Sequence, residues 1–155
     1  IALSIFLLAS ITDYIDGYLA RVLNQSTSLG RVLDPIADKA MVIITLCFLH
    51  YSFEDDVTKI FLGIPTVVII FREIFVSGLR EYIGDKTESL AVTMLSKWKT
   101  ALQMVALGVL LASEVHYFSI LPLNLIGLMT LWLAAIVTVI TGIEYFKKSL
   151  IYLKG

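Results

Sequence analysis

Apolar residues fall in long runs along this chain, and short polar stretches separate them. The runs predict five helices, over roughly 1–21, 30–51, 57–82, 94–112 and 120–147. Each reaches or approaches the ~20 apolar residues that a spanning helix needs. The interruptions at 24–28, 52–56, 84–89 and 113–119 are rich in Ser, Thr, Asn, Asp, Glu and Gly, the residues of turns and solvated loops. Pro35 falls near the start of the second run, where a missing N–H costs least; Pro65 sits early in the third, and Pro122 opens the fifth. No internal repeat and no second domain is visible, so residues 1–155 read as one domain.

Composition sharpens this into a class. The 155 residues are 58% hydrophobic and only 16% charged, with a mean hydropathy of +0.88. Soluble domains carry about a quarter charged residues. Open sheets cannot satisfy their backbone in lipid, so the expectation is an all-α, polytopic membrane helix bundle with five spanning helices. The chain begins at Ile1 inside an apolar run, which leads us to expect a further segment ahead of it. Cys47 is the single cysteine, so no disulfide framework exists, and it reads as a buried, inert thiol.

Basic residues sort by side. Arg21 and Arg31 flank the first loop, Arg80, Lys86, Lys97 and Lys99 border the third, and Lys147, Lys148 and Lys154 follow the last helix. The second loop holds Glu54, Asp55 and Asp56 against Lys59, and the fourth holds Glu114 and His116. The positive-inside rule makes the basic loops cytoplasmic, which suits a multi-pass protein of the cell inner membrane. Nucleic acid is not an expected partner.

Against this background four acids stand out. Asp13 and Asp16 are three apart, and Asp34 and Asp38 are four apart, so each pair shares a helix face. The short loop between predicts that the two helices pack as an antiparallel hairpin, with Gly17 and Ala20 permitting close approach. One charge at mid-membrane costs roughly 2.5–3.5 kcal/mol on insertion scales. Two divalent cations would neutralise four converging carboxylates, and all-oxygen ligands select hard ions, Mg²⁺ or Mn²⁺, over zinc. Paired metals suit phosphoryl chemistry, and Arg21, about one turn beyond Asp16, can fork onto phosphate oxygens. Solvated helix caps would account for one such Asp but poorly for four. A cation-translocation path would need further acids in the outer halves of the helices, and these are missing.

The full pattern is Asp13-x2-Asp16-Gly17-x2-Ala20-Arg21-x8-Gly30-x3-Asp34-x3-Asp38. It resembles the signature of the CDP-alcohol phosphotransferases at every fixed position. Arg72 to Glu81, and Lys97-Trp98-Lys99-Thr100 with Gln103, extend the resemblance over nearly the whole chain, toward bacterial members whose acceptor is glycerol 3-phosphate. The resemblance implies six spanning helices, with the sixth ahead of Ile1. It implies transfer of a phosphatidyl group from CDP-diacylglycerol to glycerol 3-phosphate, with release of CMP, in a metal-dependent enzyme working at the cytoplasmic face, and often a homodimer. Asp13, Asp16, Asp34 and Asp38 would hold two Mg²⁺ or Mn²⁺ ions, Asp38 would also act as base, and Asp13, Asp16, Gly17, Ala20, Arg21, Gly30 and Asp34 would bind the CDP group. Related acceptors, phosphatidylglycerol or inositol phosphate, are the alternatives within the family; a divalent-cation transporter is the alternative outside it.

An anionic acceptor requires a second basic cluster. Arg72 lies deep in the third run, where an unpaired charge is expensive. Arg80, eight residues on, shares its face within about 80°. With Lys97 they form the expected acceptor-phosphate site; Lys99 and Lys39 are weaker candidates. The competing reading pairs Arg72 with Glu73 and leaves Lys97 and Lys99 as headgroup anchors.

Overall fold

The computed structural model describes residues 1–23, 28–84, 94–115 and 122–153. It contains α1 (Ala2–Val22), α2 (Ser28–Ser52), α3 (Asp56–Ile83), α4 (Met94–Ser113) and α5 (Leu123–Leu153), with no strand among the described residues. Lys86, His116 and Lys154 lie outside the described residues, as do the side chains of Ala20, Arg21 and Lys97.

Local chemistry sets the ends. The Asp55 side chain caps α3 by accepting from the Thr58 N–H at 2.8 Å. Gly84, at φ 58°, takes the left-handed turn that closes the same helix and donates its N–H to the Arg80 carbonyl. Pro122 precedes α5, and its carbonyl accepts from Ile126 N at 3.1 Å.

Pro65 lies within α3 and is buried. Having no N–H, it leaves the carbonyl four residues earlier, that of Phe61, without its helical donor. The indole Nε1 of Trp132 on α5 supplies that donor at 3.0 Å. Trp132 therefore completes a broken helix.

Packing centres on α4. It lies against α1, α2 and α5, while α3 lies against α5 and α2. The core unites Phe6, Val42, Leu46, Leu49, Leu62, Ile69, Leu107, Leu110 and Leu131. At Gly127 a Cβ would fall 2.7 Å from the Leu110 side chain, so α4 and α5 meet at the distance only a glycine allows. The outward faces are apolar: Ile5, Leu8, Ile64, Val67, Phe71, Ile74 and Ile136 are all exposed. A membrane protein presents such a surface to lipid.

The helices Ala2–Leu19, Asp56–Ile83 and Leu123–Tyr152 contain stretches long and apolar enough to cross a membrane, and Trp98–Ser113 is a shorter apolar helix. Among the described residues these helices fit the expected polytopic bundle, and α2 falls short of the others in hydropathy. α2 carries Arg31, Asp34, Asp38 and Lys39 in its first half, and its hydropathy falls accordingly. α5 runs to Leu153 rather than ending near 147, because Lys147 and Lys148 are exposed and so do not interrupt it. Its 31 residues span about 46 Å, well beyond a ~30 Å hydrocarbon core. Cys47 is exposed rather than buried.

Candidate active site

The acids occupy the second half of α1 and the first half of α2. Ser10 Oγ donates to Met41 Sδ at 3.9 Å, and three residues further along α1 Asp13 lies within electrostatic reach of Asp38, three residues back along α2. The helices therefore run antiparallel, as expected. They do not pack closely: each is seated on α4, and the two share no extensive contact among the described residues. An apolar groove of about 480 Å³, lined by Ile5, Ala9, Ile44 and Phe48 among others, separates their other halves. The close hairpin is thus corrected to a splayed pair with α4 behind it.

Asp13, Asp16, Asp34 and Asp38 are all exposed, while Gly17, Gly30 and Lys39 are half-buried. Asp13, Asp34 and Lys39 all act electrostatically on Asp38. No group of three or more His, Cys, Asp or Glu side chains is drawn together closely enough to hold a metal ion, among the described residues. Like charges gain by separating, so the carboxylates stand apart. The donor set nevertheless fits a hard dication: acid side chains from both helices, at neighbouring levels, all oxygen, and exposed enough to rotate inward. Ala20 and Arg21 continue α1 toward the same end.

A second polar cluster lies inside the bundle. Arg72 on α3 donates from Nη1 to Glu73 Oε1 at 3.2 Å and from Nη2 to Thr141 Oγ1 on α5 at 3.3 Å. Lys99 Nζ on α4 donates to the same Glu73 Oε1. Gln103 Nε2 on α4 donates to Thr138 Oγ1 on α5 at 3.3 Å. The Arg80 guanidinium sits 5.4 Å from the centroid of the Tyr145 ring, in cation–π range. Arg80 also acts electrostatically on both Arg72 and Lys99. One carboxylate thus lies between two largely buried cations, with the exposed Arg80 guanidinium within electrostatic reach of both.

Arg80 lies within electrostatic reach of Arg72, but its side chain is exposed where that of Arg72 is largely buried. The Lys97 side chain is outside the described residues, and the neighbouring Lys99, the weaker candidate by sequence, is the buried cation, with a side chain 8% accessible. Sequence reasoning treated Glu73 only as a structural partner of Arg72, and missed Thr138, Thr141 and Gly142. The signal that could have found them was the run of small and polar residues Thr138, Thr141, Gly142 interrupting the otherwise apolar α5.

The two clusters share one end of the bundle. Phe6 lies against Gly108 on α4, where a Cβ would be 3.8 Å from the Phe6 ring. Leu111 lies in the groove beside the start of α1, so α1 and α4 run antiparallel. Followed along both helices at 1.5 Å per residue, that register brings Asp13 and Asp16 to the level of Lys99.

The profile of the CDP-alcohol phosphatidyltransferase family matches residues 1–140. The chain belongs to that family. A relative from Cereibacter sphaeroides, named CDP-diacylglycerol–glycerol-3-phosphate 3-phosphatidyltransferase, is 41% identical over 99% of this chain and 83% of its own. One of the same name from Rickettsia bellii is 45% identical over 92% of this chain and 75% of its own. A plant relative, number 2 of that name in Arabidopsis thaliana, is 40% identical over 94% of this chain and 65% of its own. In this CDP-alcohol phosphatidyltransferase the acids of the signature lie on α1 and α2, and the buried cations lie on α3 and α4.

Proposed function

We propose that the chain transfers a phosphatidyl group from CDP-diacylglycerol to the primary hydroxyl of glycerol 3-phosphate, giving phosphatidylglycerophosphate and CMP. The observation that carries this reading is that the exposed acids of α1 stand at the level of Lys99, in the buried cluster that joins Lys99 to Arg72 through Glu73. The relatives' names support the donor and acceptor. Charge supports the acceptor further: a phosphate monoester carries roughly −1.5 to −2 near pH 7, which complements the net charge of Arg72, Arg80, Lys99 and Glu73.

Asp13, Asp16, Asp34 and Asp38 would hold Mg²⁺ or Mn²⁺, which when bound supplies charge neutralisation for the pyrophosphate. Gly17, Ala20, Arg21 and Gly30 would border the nucleotide, the glycines by leaving room and Arg21 by forking onto phosphate. Asp38 accepts the hydroxyl proton as the acceptor oxygen bonds to the phosphatidyl phosphorus and the bond from that phosphorus to CMP breaks. Arg72, Arg80 and Lys99, with Lys97 beside them, hold the acceptor's own phosphate. The basic loops support a cytoplasmic position for this end of the bundle, in a protein of the cell inner membrane.

Purified protein given CDP-diacylglycerol, Mg²⁺ and radiolabelled glycerol 3-phosphate should yield labelled phosphatidylglycerophosphate and an equal amount of CMP. Product from phosphatidylglycerol, with none from glycerol 3-phosphate, would remove the proposed acceptor.

A further inference from the structure

A carboxylate in the middle of a site for an anion needs a reason, because its charge opposes the ligand. Glu73 is as buried as Arg72, each side chain being 12% accessible, and its Oε1 accepts from Arg72 Nη1 and from Lys99 Nζ. Those cations come from different helices, and α3 is not among the helices on which α4 chiefly packs. Without an anion between them, two buried like charges would separate.

We infer that Glu73 is a positioning residue: its single oxygen ties Arg72 to Lys99 at a fixed separation, so that both face the acceptor's phosphate together. The inference rests on the acceptor reading above. Three further contacts agree with it. Thr141 Oγ1 holds the second terminal nitrogen of Arg72 and is itself anchored by donating to the Val137 carbonyl at 2.9 Å. Gly142 makes room for the Arg72 stem, since a Cβ there would lie 3.0 Å from Arg72 Cγ. Gln103 and Thr138 brace α4 against α5 one turn away. The tie leaves donors to spare. A guanidinium has five N–H bonds and an ammonium three, and the contacts above use two from Arg72 and one from Lys99. Arg72 Nε is buried with no partner among the described residues.

The test is steady-state kinetics of Glu73→Gln and Glu73→Asp in detergent micelles, varying each substrate, with thermal unfolding as a check on the fold. Glu73→Gln keeps the shape and loses the charge, and should raise the glycerol 3-phosphate KM about tenfold while the CDP-diacylglycerol KM stays within twofold. Glu73→Asp keeps the charge on a shorter stem and should raise the acceptor KM about threefold. A merely structural ion pair would lower the unfolding temperature and leave the two KM values in their original ratio, which overturns the inference. So does an acceptor KM that rises less than threefold in folded Glu73→Gln. If Glu73→Gln does not fold, Glu73→Asp decides: an unchanged acceptor KM overturns the inference and a selective rise supports it. An unmodified chain that uses another alcohol but not glycerol 3-phosphate sinks the acceptor assignment alone, and Glu73 is then judged by the KM for the alcohol used.

Discussion

A carboxylate that takes a proton and a guanidinium that holds a phosphate fail differently when removed. Asp38→Ala should lower kcat by roughly 10²–10⁴-fold, the usual worth of a positioned base, while CDP binding measured by calorimetry is largely kept. Retained turnover would take Asp38 out of the proton transfer. Arg72→Ala should chiefly raise the glycerol 3-phosphate KM, by about tenfold or more, since a charge-assisted hydrogen bond contributes ~1.5–3 kcal/mol. Unchanged acceptor kinetics would remove Arg72 from the site. Arg72 was legible in the sequence because a charge deep in an apolar run is too costly to sit there without a role. Finding Lys99 was beyond it: residues two apart point to nearly opposite sides of a helix, and only packing shows that Lys99 is inside. The role of Glu73 was hidden for a related reason, because its pairing with Lys99 joins residues 26 apart.

Among the helices, hydrophobic periodicity gave the boundaries of α2, α3 and α4 to within about two residues, and it failed where charge was mistaken for an end. Lys147 and Lys148 on α5 are solvated side chains of a continuing helix. Equally illegible was the bond from Trp132 to the Phe61 carbonyl, because it answers a vacancy made by Pro65 on another helix. Trp132→Phe should destabilise the protein by about 1–3 kcal/mol, the cost of leaving a carbonyl unsatisfied. In a Pro65→Ala background, where residue 65 regains an N–H, the same substitution should cost much less. A double-mutant cycle of unfolding in micelles measures the difference, and equal costs in both backgrounds would show the indole bond to be incidental.

For the molecule as a whole, the signature acids converge by level but stand apart as side chains, so activity should depend on added dications. A chelator should abolish turnover, Mg²⁺ or Mn²⁺ should restore it, and Zn²⁺ should not, as hard oxygen ligands dictate. Full activity in excess chelator would refute metal dependence. The all-α membrane class and the acidic motif were readable from the sequence because both are local patterns. The splay of α1 from α2 was not, since α1 rests on α4 while α2 rests on both α4 and α3.

That parting has a use. The slot it opens is walled by Ile5, Ala9, Ile44 and Phe48 and runs on toward the acids. A greasy tail would lodge there while the head it carries stayed at the carboxylates, and no helix would have to swing aside to seat it.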